Sequence, residues 1–464
     1  MDLHLSIGAR EGSLRGRLEN ELREAIRAGR LTPGDGLPSS RALAVDLGIS
    51  RGVVVEAYEQ LTAEGYLVAV VGSGTRVAAD AGRGGDEGSG LEGQARDELP
   101  SVAEPRARHH LRPGLPDLAS FPRRRWAAAL TDTLRELPDE RLSYGDARGA
   151  VELREALAGY LGRARGVSSS ADRIVLTGGL RTGLSLLWGA LAARGLRRVG
   201  IEQPGWPGQG ATVVAAGLDA VPVAVDGDGL VVEELERSGV DAVVVTPANQ
   251  FPTGAVLAPE RRAALVAWAR REGAQIVEDD YDAQYRYDRD PVGSLQGLAP
   301  DRTVHGGSVS KLLAPGLAIG WLVLPERLAG PVAEHKRSSQ GAGSVIEQVA
   351  LARLIDSGEL DRHLRRSRRL YRGRREAVLA ALARELPEAR VSGAAAGLHV
   401  VVLLPSGCDE EAVVSEAARR SLALEAMRGR EPAVLLGYGR LPEESVASVV
   451  RALAEAVRSA RPGA

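Results

Sequence analysis

The sequence predicts a chain of two folded parts: a small α+β module, then a large α/β domain with a mostly parallel sheet. Three observations predict it. Within residues 1–78, helix-periodic segments come in the order long, short, medium and end in two short strand-like runs around Gly72-Ser73-Gly74. From residue 111 to 464, short apolar runs that end in polar or glycine-rich loops alternate with helix-periodic segments, the pattern of a layered sheet with helices on its faces. Between them, 79–110 is rich in Gly, Asp, Glu, Ser and Pro. It has too few large apolar residues to offset chain entropy and reads as a flexible linker.

Composition sets the frame. A chain of 464 residues is too long for one ordinary core. With 44% hydrophobic and 26% charged residues it matches ordinary globular domains rather than disordered chains. A formal net charge of −2 excludes a global polycation, so any nucleic-acid contact must be local. The single cysteine, Cys408, excludes an intramolecular disulfide and fits a reducing cytoplasm. The N-terminal stretch lacks the basic and apolar regions of a signal peptide, and no apolar run is long enough to span a bilayer. A cytoplasmic protein without membrane partner is expected.

In the first part, Leu14, Leu18, Leu22 and Ile26 recur every four residues, giving an amphipathic helix over 13–31 with Ser13 as its cap. "TPGDGLP" is a turn. "SSRALAVDLG" is a short helix, capped by serine, with Leu43 and Leu47 inward and Gly48 ending it. "ISRGVVVEAYEQLTAEG" is a second helix starting at Ser50, with Val54, Ala57, Tyr58 and Leu61 as its buried stripe. "YLVAVVGSGTRVA" is a hairpin. That order is a winged helix-turn-helix, whose second motif helix enters the major groove N-terminus first. Ser50 and Arg51 then lie at the reading end, Arg41 starts the preceding helix, and Thr75 and Arg76 lie on the wing. A three-helix interaction domain stays open, because residues 1–78 hold nine arginines against ten acids.

The stretches "GRLTPGDGLPSSRALAVDLGISRGVV", "AYEQLTAEGYL" and "GSGTRV" resemble the DNA-binding domain of the GntR family. The resemblance implies operator contacts by Arg41, Ser50, Arg51 and the wing near Gly72, Thr75 and Arg76. Gly52 and Val53 depart from the polar residues frequent there, which leaves base preference open.

In the second part the unusual residues sit at strand ends, where α/β folds bind ligands. "TGGLRTG" (177–183) places glycines before a helix, an arrangement that binds anions or merely turns the chain. "EQPGWP" holds Trp206, which can stack on a planar ligand or fill a gap. "NQFPTG" sets Asn249 in a turn. "EDDYD" (278–282) clusters acids that can ligate metal, cap a helix or pair with a protonated ring. "GGSVSK" ends in Lys311. Of 59 lysines and arginines only two, Lys311 and Lys336, are lysine. An arginine serves most surface roles as well, but only a lysine amine readily forms an imine with an aldehyde. Jointly these ends supply an anion cradle, an aromatic plate, a hydrogen-bond donor, a carboxylate and an imine-forming lysine, which are the needs of pyridoxal 5′-phosphate. No metal is expected.

"RPGLPDLASFPRRRW", "LSYGDARGAVELREALAGYL", "EQPGWPG", "TPANQFPTG", "EDDYDAQYRY", "GGSVSKLLAPGLAIGW", "ELDRHLRRSRRLYRGRR" and "AAGLHVVV" resemble the MocR/GabR regulators. These join a GntR-type domain (here 1–78) to a fold-type I aminotransferase-like domain (here 111–464). The resemblance implies that Lys311 carries the cofactor, that Asp279 pairs with the ring nitrogen, and that Tyr281 and Asn249 hold the ring oxygen. It implies that Trp206 stacks, and that Gly179, Leu180, Arg181, Ser308 and Ser310 cradle the phosphate. Tyr144 would reach the phosphate of a partner subunit, which implies a homodimer. Two departures stand out. Ala318 occupies the place of the phosphate-binding arginine, so a charge-assisted bond of roughly 1.5–3 kcal/mol is missing unless Arg181 compensates. Leu435 stands where aminotransferases often hold an amino-acid carboxylate with arginine. Both favour sensing over turnover.

The expectation is a transcriptional regulator that binds operator DNA, with pyridoxal 5′-phosphate, or its adduct with an amino acid, as effector. Regulation of vitamin B6 metabolism or of a neighbouring pathway is open. The alternatives are a working aminotransferase with an accessory DNA-binding domain, and a degenerate domain that no longer holds cofactor. No catalytic residue is assigned.

Overall fold

The computed structural model describes residues 13–70, 74–78, 107–288, 292–339, 341–427 and 431–461. It divides into two units, Met1–Ser101 and Val102–Ala464. Of the sequence-based readings, Gly72 and linker residues 79–106 lie outside the described residues.

The first unit contains α1 (Leu14–Arg27), α2 (Ser40–Leu47), α3 (Arg51–Ala63), β1 (Leu67–Val70) and β2 (Gly74–Val77). Serine caps each helix: Ser13, Ser39 and Ser50 accept from the backbone N–H of Gly16, Ala42 and Val53. The cap satisfies a donor with no intrahelical partner, which is why each helix starts where it does. Gly48, at φ 63°, ends α2 in the left-handed region. β1 and β2 pair antiparallel, Leu67 opposite Val77. Leu18, Leu22, Ile26, Leu43, Val54, Ala57, Leu61, Leu67 and Val77 form one core. Leu14 corrects the reading of a four-membered stripe: it is 43% exposed. Side chains tilt toward a helix N-terminus, so the first residue of α1 projects past the edge of that core.

The larger unit opens with β3 (His109–His110), α4 (Arg123–Glu136) and α5 (Val151–Arg165). His109 and His110, assigned to the linker from sequence, instead pair in parallel with Leu422 and Ala423. The central sheet comprises β4 (Ile174–Thr177), β5 (Arg198–Gln203), β6 (Asp219–Asp226), β7 (Gly229–Leu230), β8 (Ala242–Val245), β9 (Gln275–Asp279), β10 (Thr303–Ser308) and β11 (Gly320–Val323). Interleaved are α6 (Leu180–Ala192), α7 (Pro207–Ala215), α8 (Val232–Ser238) and α9 (Pro259–Glu272). Next come α10 (Glu326–Ser339), α11 (Val345–Asp356) and α12 (Glu359–Glu385). The chain closes with β12 (Arg390–Ser392), β13 (His399–Leu403), α13 (Glu410–Arg419), β14 (Leu422–Ala423), β15 (Glu425–Met427), β16 (Ala433–Gly437) and α14 (Val446–Ser459). β12, β13, β16 and β15 form a separate antiparallel sheet, which the sequence reading did not single out.

The central sheet has the order β4-β11-β10-β9-β8-β5-β6-β7. β10, β9, β8, β5 and β6 run parallel, while β11 and β7 run against their neighbours. A strand buried on both faces reads as a continuous apolar run, as "AVVV" of β8 does. Alternation sends Val244 and Val277 to the face covered by α6, α7 and α10, and Val243, Val245 and Ile276 to the face covered by α8 and α9. Because β4, β5, β8, β9 and β10 share a direction, the loops after them emerge on one side. Those loops carry the residues singled out from the sequence.

Candidate functional site

Lys311 follows β10, half-buried, and its Nζ makes no hydrogen bond among the described residues. Gly114 covers it so closely that a Cβ there would lie 3.0 Å from Nζ, and its φ of +81° also favours glycine. Burial lowers the pKa of the Lys311 amine, and the charges of Asp282 and Asp279 oppose that shift.

Asp279 ends β9. Period-two alternation turns it away from its neighbours Glu278 and Asp280. Glu278 accepts from the backbone N–H of Leu295 and Gln296, and Asp280 is held by Arg165 at 2.7 Å. These two acids therefore brace the scaffold. Asp279 Oδ2 accepts from Gln209 Nε2 at 2.9 Å, while its Oδ1 is buried with no hydrogen-bond partner. Burial pushes the Asp279 carboxyl up to about 7. A buried acceptor without a partner is costly, so this atom fits a ligand that brings a donor, such as a ring N–H.

Asn249 Nδ2 lies 3.1 Å from Tyr281 Oη and 3.0–3.1 Å from both Asp282 carboxylate oxygens. The predicted Asn249–Tyr281 pair is thus brought together, with a third member not assigned from sequence. Burial pushes Asp282 up to about 8, against the hydrogen bond from Asn249. Burial also raises Tyr281 well above the usual phenol range. Gly397 closes over this pair: a Cβ there would lie 2.6 Å from Asn249 Nδ2 and 2.8 Å from Asp282 Oδ2.

Trp206 caps α7, and the Arg181 guanidinium sits 5.2 Å from its ring centroid. Gly179 precedes α6 at φ 99°, so the first N–H groups of the helix are open to an anion. The Leu180 side chain turns inward instead: a Cβ on Gly306 would lie 2.6 Å from it. Only the backbone of Leu180 is therefore available to the cradle, whereas Arg181 is exposed. Ser308 is buried and its Oγ accepts from Ser310 N at 3.3 Å. Ala318, exposed at φ 48°, lies two residues before Gly320, which pairs with Thr177 beside this cradle. Leu435 is buried with Val401 and Ala433, and Phe251 packs against them. The Tyr144 side chain is fully exposed, at 106%.

Sequence reasoning missed Gln209, Asp282, Gly114 and Gly397. Asp282 was visible within "EDDYD" but carried no mark separating it from its neighbours. Gln209 offers no local signal; a buried polar residue is recognised only once its partner is known.

On the first unit, Arg41 and Arg51 line one cleft with Ala44, Val45, Gly48 and Ile49. Arg51 Nε lies 3.4 Å from Ser40 Oγ. Ser50 spends its hydroxyl on the helix cap. Arg76 donates to Gly34 O at 3.0 Å, so this wing residue is partly engaged, and Thr75 is half-buried beside it. No described helix is long and apolar enough to cross a membrane.

Residues 14–77 match the family described as "Bacterial regulatory proteins, gntR family", and 115–444 match "Aminotransferase class I and II". The chain is 35% identical to the HTH-type pyridoxine biosynthesis transcriptional regulator PdxR of Corynebacterium glutamicum, over 98% of this chain and 99% of that one. It is 33% identical to the probable rhizopine catabolism regulatory protein MocR of Rhizobium meliloti, over 85% and 82%. The kynurenine aminotransferase of Pyrococcus horikoshii, crystallised with PMP, superposes with a TM-score of 0.71 at 26% identity, over 80% of this chain and 96% of that one. LysN of Thermus thermophilus, complexed with N-(5′-phosphopyridoxyl)-L-leucine, gives 0.68 at 26% identity, over 75% and 92%.

Proposed function

Because this chain belongs to the MocR-type regulators of the GntR family, with an aminotransferase class I and II domain joined to a DNA-binding one, we propose that its larger unit senses pyridoxal 5′-phosphate and reports it to a promoter. The observation that carries the reading is the pairing of Lys311, half-buried and unbonded, with a buried Asp279 oxygen that lacks a donor. When bound, the cofactor supplies an aldehyde and an electron-withdrawing ring. The chain supplies the rest. Lys311 offers the amine, which burial favours in its reactive, uncharged form. Asp279 Oδ1 holds a proton at a ring nitrogen, with Gln209 fixing the other oxygen. Tyr281 and Asn249 orient a ring oxygen, and Trp206 backs one ring face. Gly179, Leu180 and Arg181, with Ser308 and Ser310, hold the phosphate. Tyr144 completes that cradle from a second copy, making a homodimer. Arg41, Ser50, Arg51, Thr75 and Arg76 face operator DNA.

The effector is the cofactor itself. Leu435 lies in an apolar cluster with Val401 and Ala433, so that position offers no cation for an amino-acid carboxylate. The similarity to a regulator named for pyridoxine biosynthesis supports the same reading. It also speaks against the working aminotransferase, which would lose its visible absorbance rapidly on addition of an amino acid.

The test is a footprint on the DNA upstream of the protein's own gene, with and without pyridoxal 5′-phosphate. The protected region or its affinity is expected to change. An identical footprint and affinity in both conditions would rule the sensor out.

Restoring the missing cation gives a second expected result. Ala318→Arg should tighten pyridoxal 5′-phosphate about tenfold to a hundredfold, as one charge-assisted bond does. Pyridoxal without phosphate should be unaffected. Titration of the visible band with each compound measures both.

A further inference from the structure

We propose that the outer face of α12 is a second DNA-contacting surface, binding phosphates independently of base sequence. Residues 362–375, "RHLRRSRRLYRGRR", hold eight arginines and no acid. In a protein of net charge −2 this is a strong local concentration. The helix sorts these arginines by direction. Buried Arg374 pairs with Asp117 at 2.8 Å, and Arg372, though exposed, donates to Tyr287 O at 2.7 Å. Three others stand apart. Arg365, Arg366 and Arg369 are exposed, and none has a hydrogen bond or ion pair among the described residues. With Arg362 at one end, they fall within about a third of the helix circumference. From Arg362 to Arg369 the stripe runs about 10 Å, the length of about three base pairs. At the Arg362 end, Glu359 bridges Arg362 at 2.6 Å and Arg125 of α4 at 3.4 Å and offsets part of their charge, so the unpaired arginines carry the attraction.

Charge complementarity selects the occupant. The protein reads DNA, yet residues 1–78 carry nine arginines against ten acids and supply no net attraction to a phosphate backbone. That attraction provides most non-specific affinity and much of specific affinity. Arginine forks suit phosphate oxygens, and such contacts position a protein without specifying sequence. The stripe also stands on a rigid support. His363, on the inner face, bonds Leu312 O at 3.0 Å, and the Tyr371 ring meets Tyr285 edge-on at 5.0 Å.

The experiment measures binding of the full-length protein, across a salt series, to two duplexes: one from upstream of its own gene and one of random sequence and equal length. The variant carries Arg365→Gln, Arg366→Gln and Arg369→Gln together. Its slope of log K against log salt is expected to be shallower by about 2.7, at 0.9 per lost phosphate contact, on both duplexes. The affinity ratio between duplexes should stay as in wild type. The triple lysine variant should keep the slope, because a point charge suffices for phosphate. Uptake of pyridoxal 5′-phosphate equal to wild type checks folding of both variants. An unchanged slope in the glutamine variant overturns the proposal. So does an unchanged slope accompanied by lost binding to phosphatidylserine vesicles, which would make the stripe a lipid surface. A wild-type protein that bound neither duplex would overturn the promoter-reading function along with it.

Discussion

Lys311→Ala is expected to leave the protein colourless at any concentration of pyridoxal 5′-phosphate, whereas the wild type gains a visible absorption band. After borohydride reduction the wild type should carry one cofactor mass, on the peptide containing residue 311, and the variant none there. The chain makes this measurement unusually clean, because Lys336 is its only other lysine. Lys336 is also a stringent control. It is buried in α10, and burial lowers its amine to about 8, so a fraction is uncharged and nucleophilic near neutral pH. Lys336→Arg should retain both band and mass. The difference between the lysines is their surroundings: Lys311 feels the charges of Asp282 and Asp279, and Lys336 that of Asp146. Loss of Lys311 should not unfold the site. Its charge pulls Asp279 and Asp282 down, so without it these buried acids hold their protons more firmly and remain neutral. A Lys311→Ala protein that still took up the band and a stable adduct would sink the sensor reading.

Asp279→Asn should weaken the cofactor by about two to three and a half orders of magnitude. Removing one partner of a buried charge pair costs roughly 3–5 kcal/mol. The reason is atomic. Asp279 Oδ2 is already occupied by Gln209 Nε2, and Oδ1 is the acceptor left open. An asparagine that keeps its oxygen toward Gln209 must present N–H groups where the ring nitrogen brings its own proton. Two donors then face one another in a buried site. Equilibrium titration of the visible band measures the loss. A change below tenfold would show that the open oxygen faces something other than the cofactor ring.

Part of the fold and site was legible because it depends on local chemistry. β8 announces itself as a continuous apolar run, because strands of a parallel sheet are buried on both faces. Ser13, Ser39 and Ser50 mark helix starts because a hydroxyl satisfies a nearby backbone donor. Asp279 was identified through the motif resemblance and Lys311 from its rarity. Asp282 and Gln209 were not, since their roles come from partners 33 and 70 residues away. The inward turn of Leu180 was hidden for the same reason: Gly306 leaves the space it fills. His109 and His110 read as linker because a two-residue strand has no periodicity, and only Leu422 and Ala423 give it a ladder.

By itself, the sequence determined the order of helices and strands in both parts and which residue types stand at the strand ends, while its motifs, by resemblance, implied a winged helix-turn-helix and an aminotransferase-like domain. Hydrophobic periodicity, caps and turns act over a few residues, and a linear string records them in full. The tertiary structure alone decided that Asp282 joins Asp279 beside Lys311, which oxygen of Asp279 is left without a donor, and which arginines of α12 turn outward unpaired. Burial and hydrogen-bond satisfaction are properties of groups brought together from distant parts of the chain, so they exist only once the chain has folded.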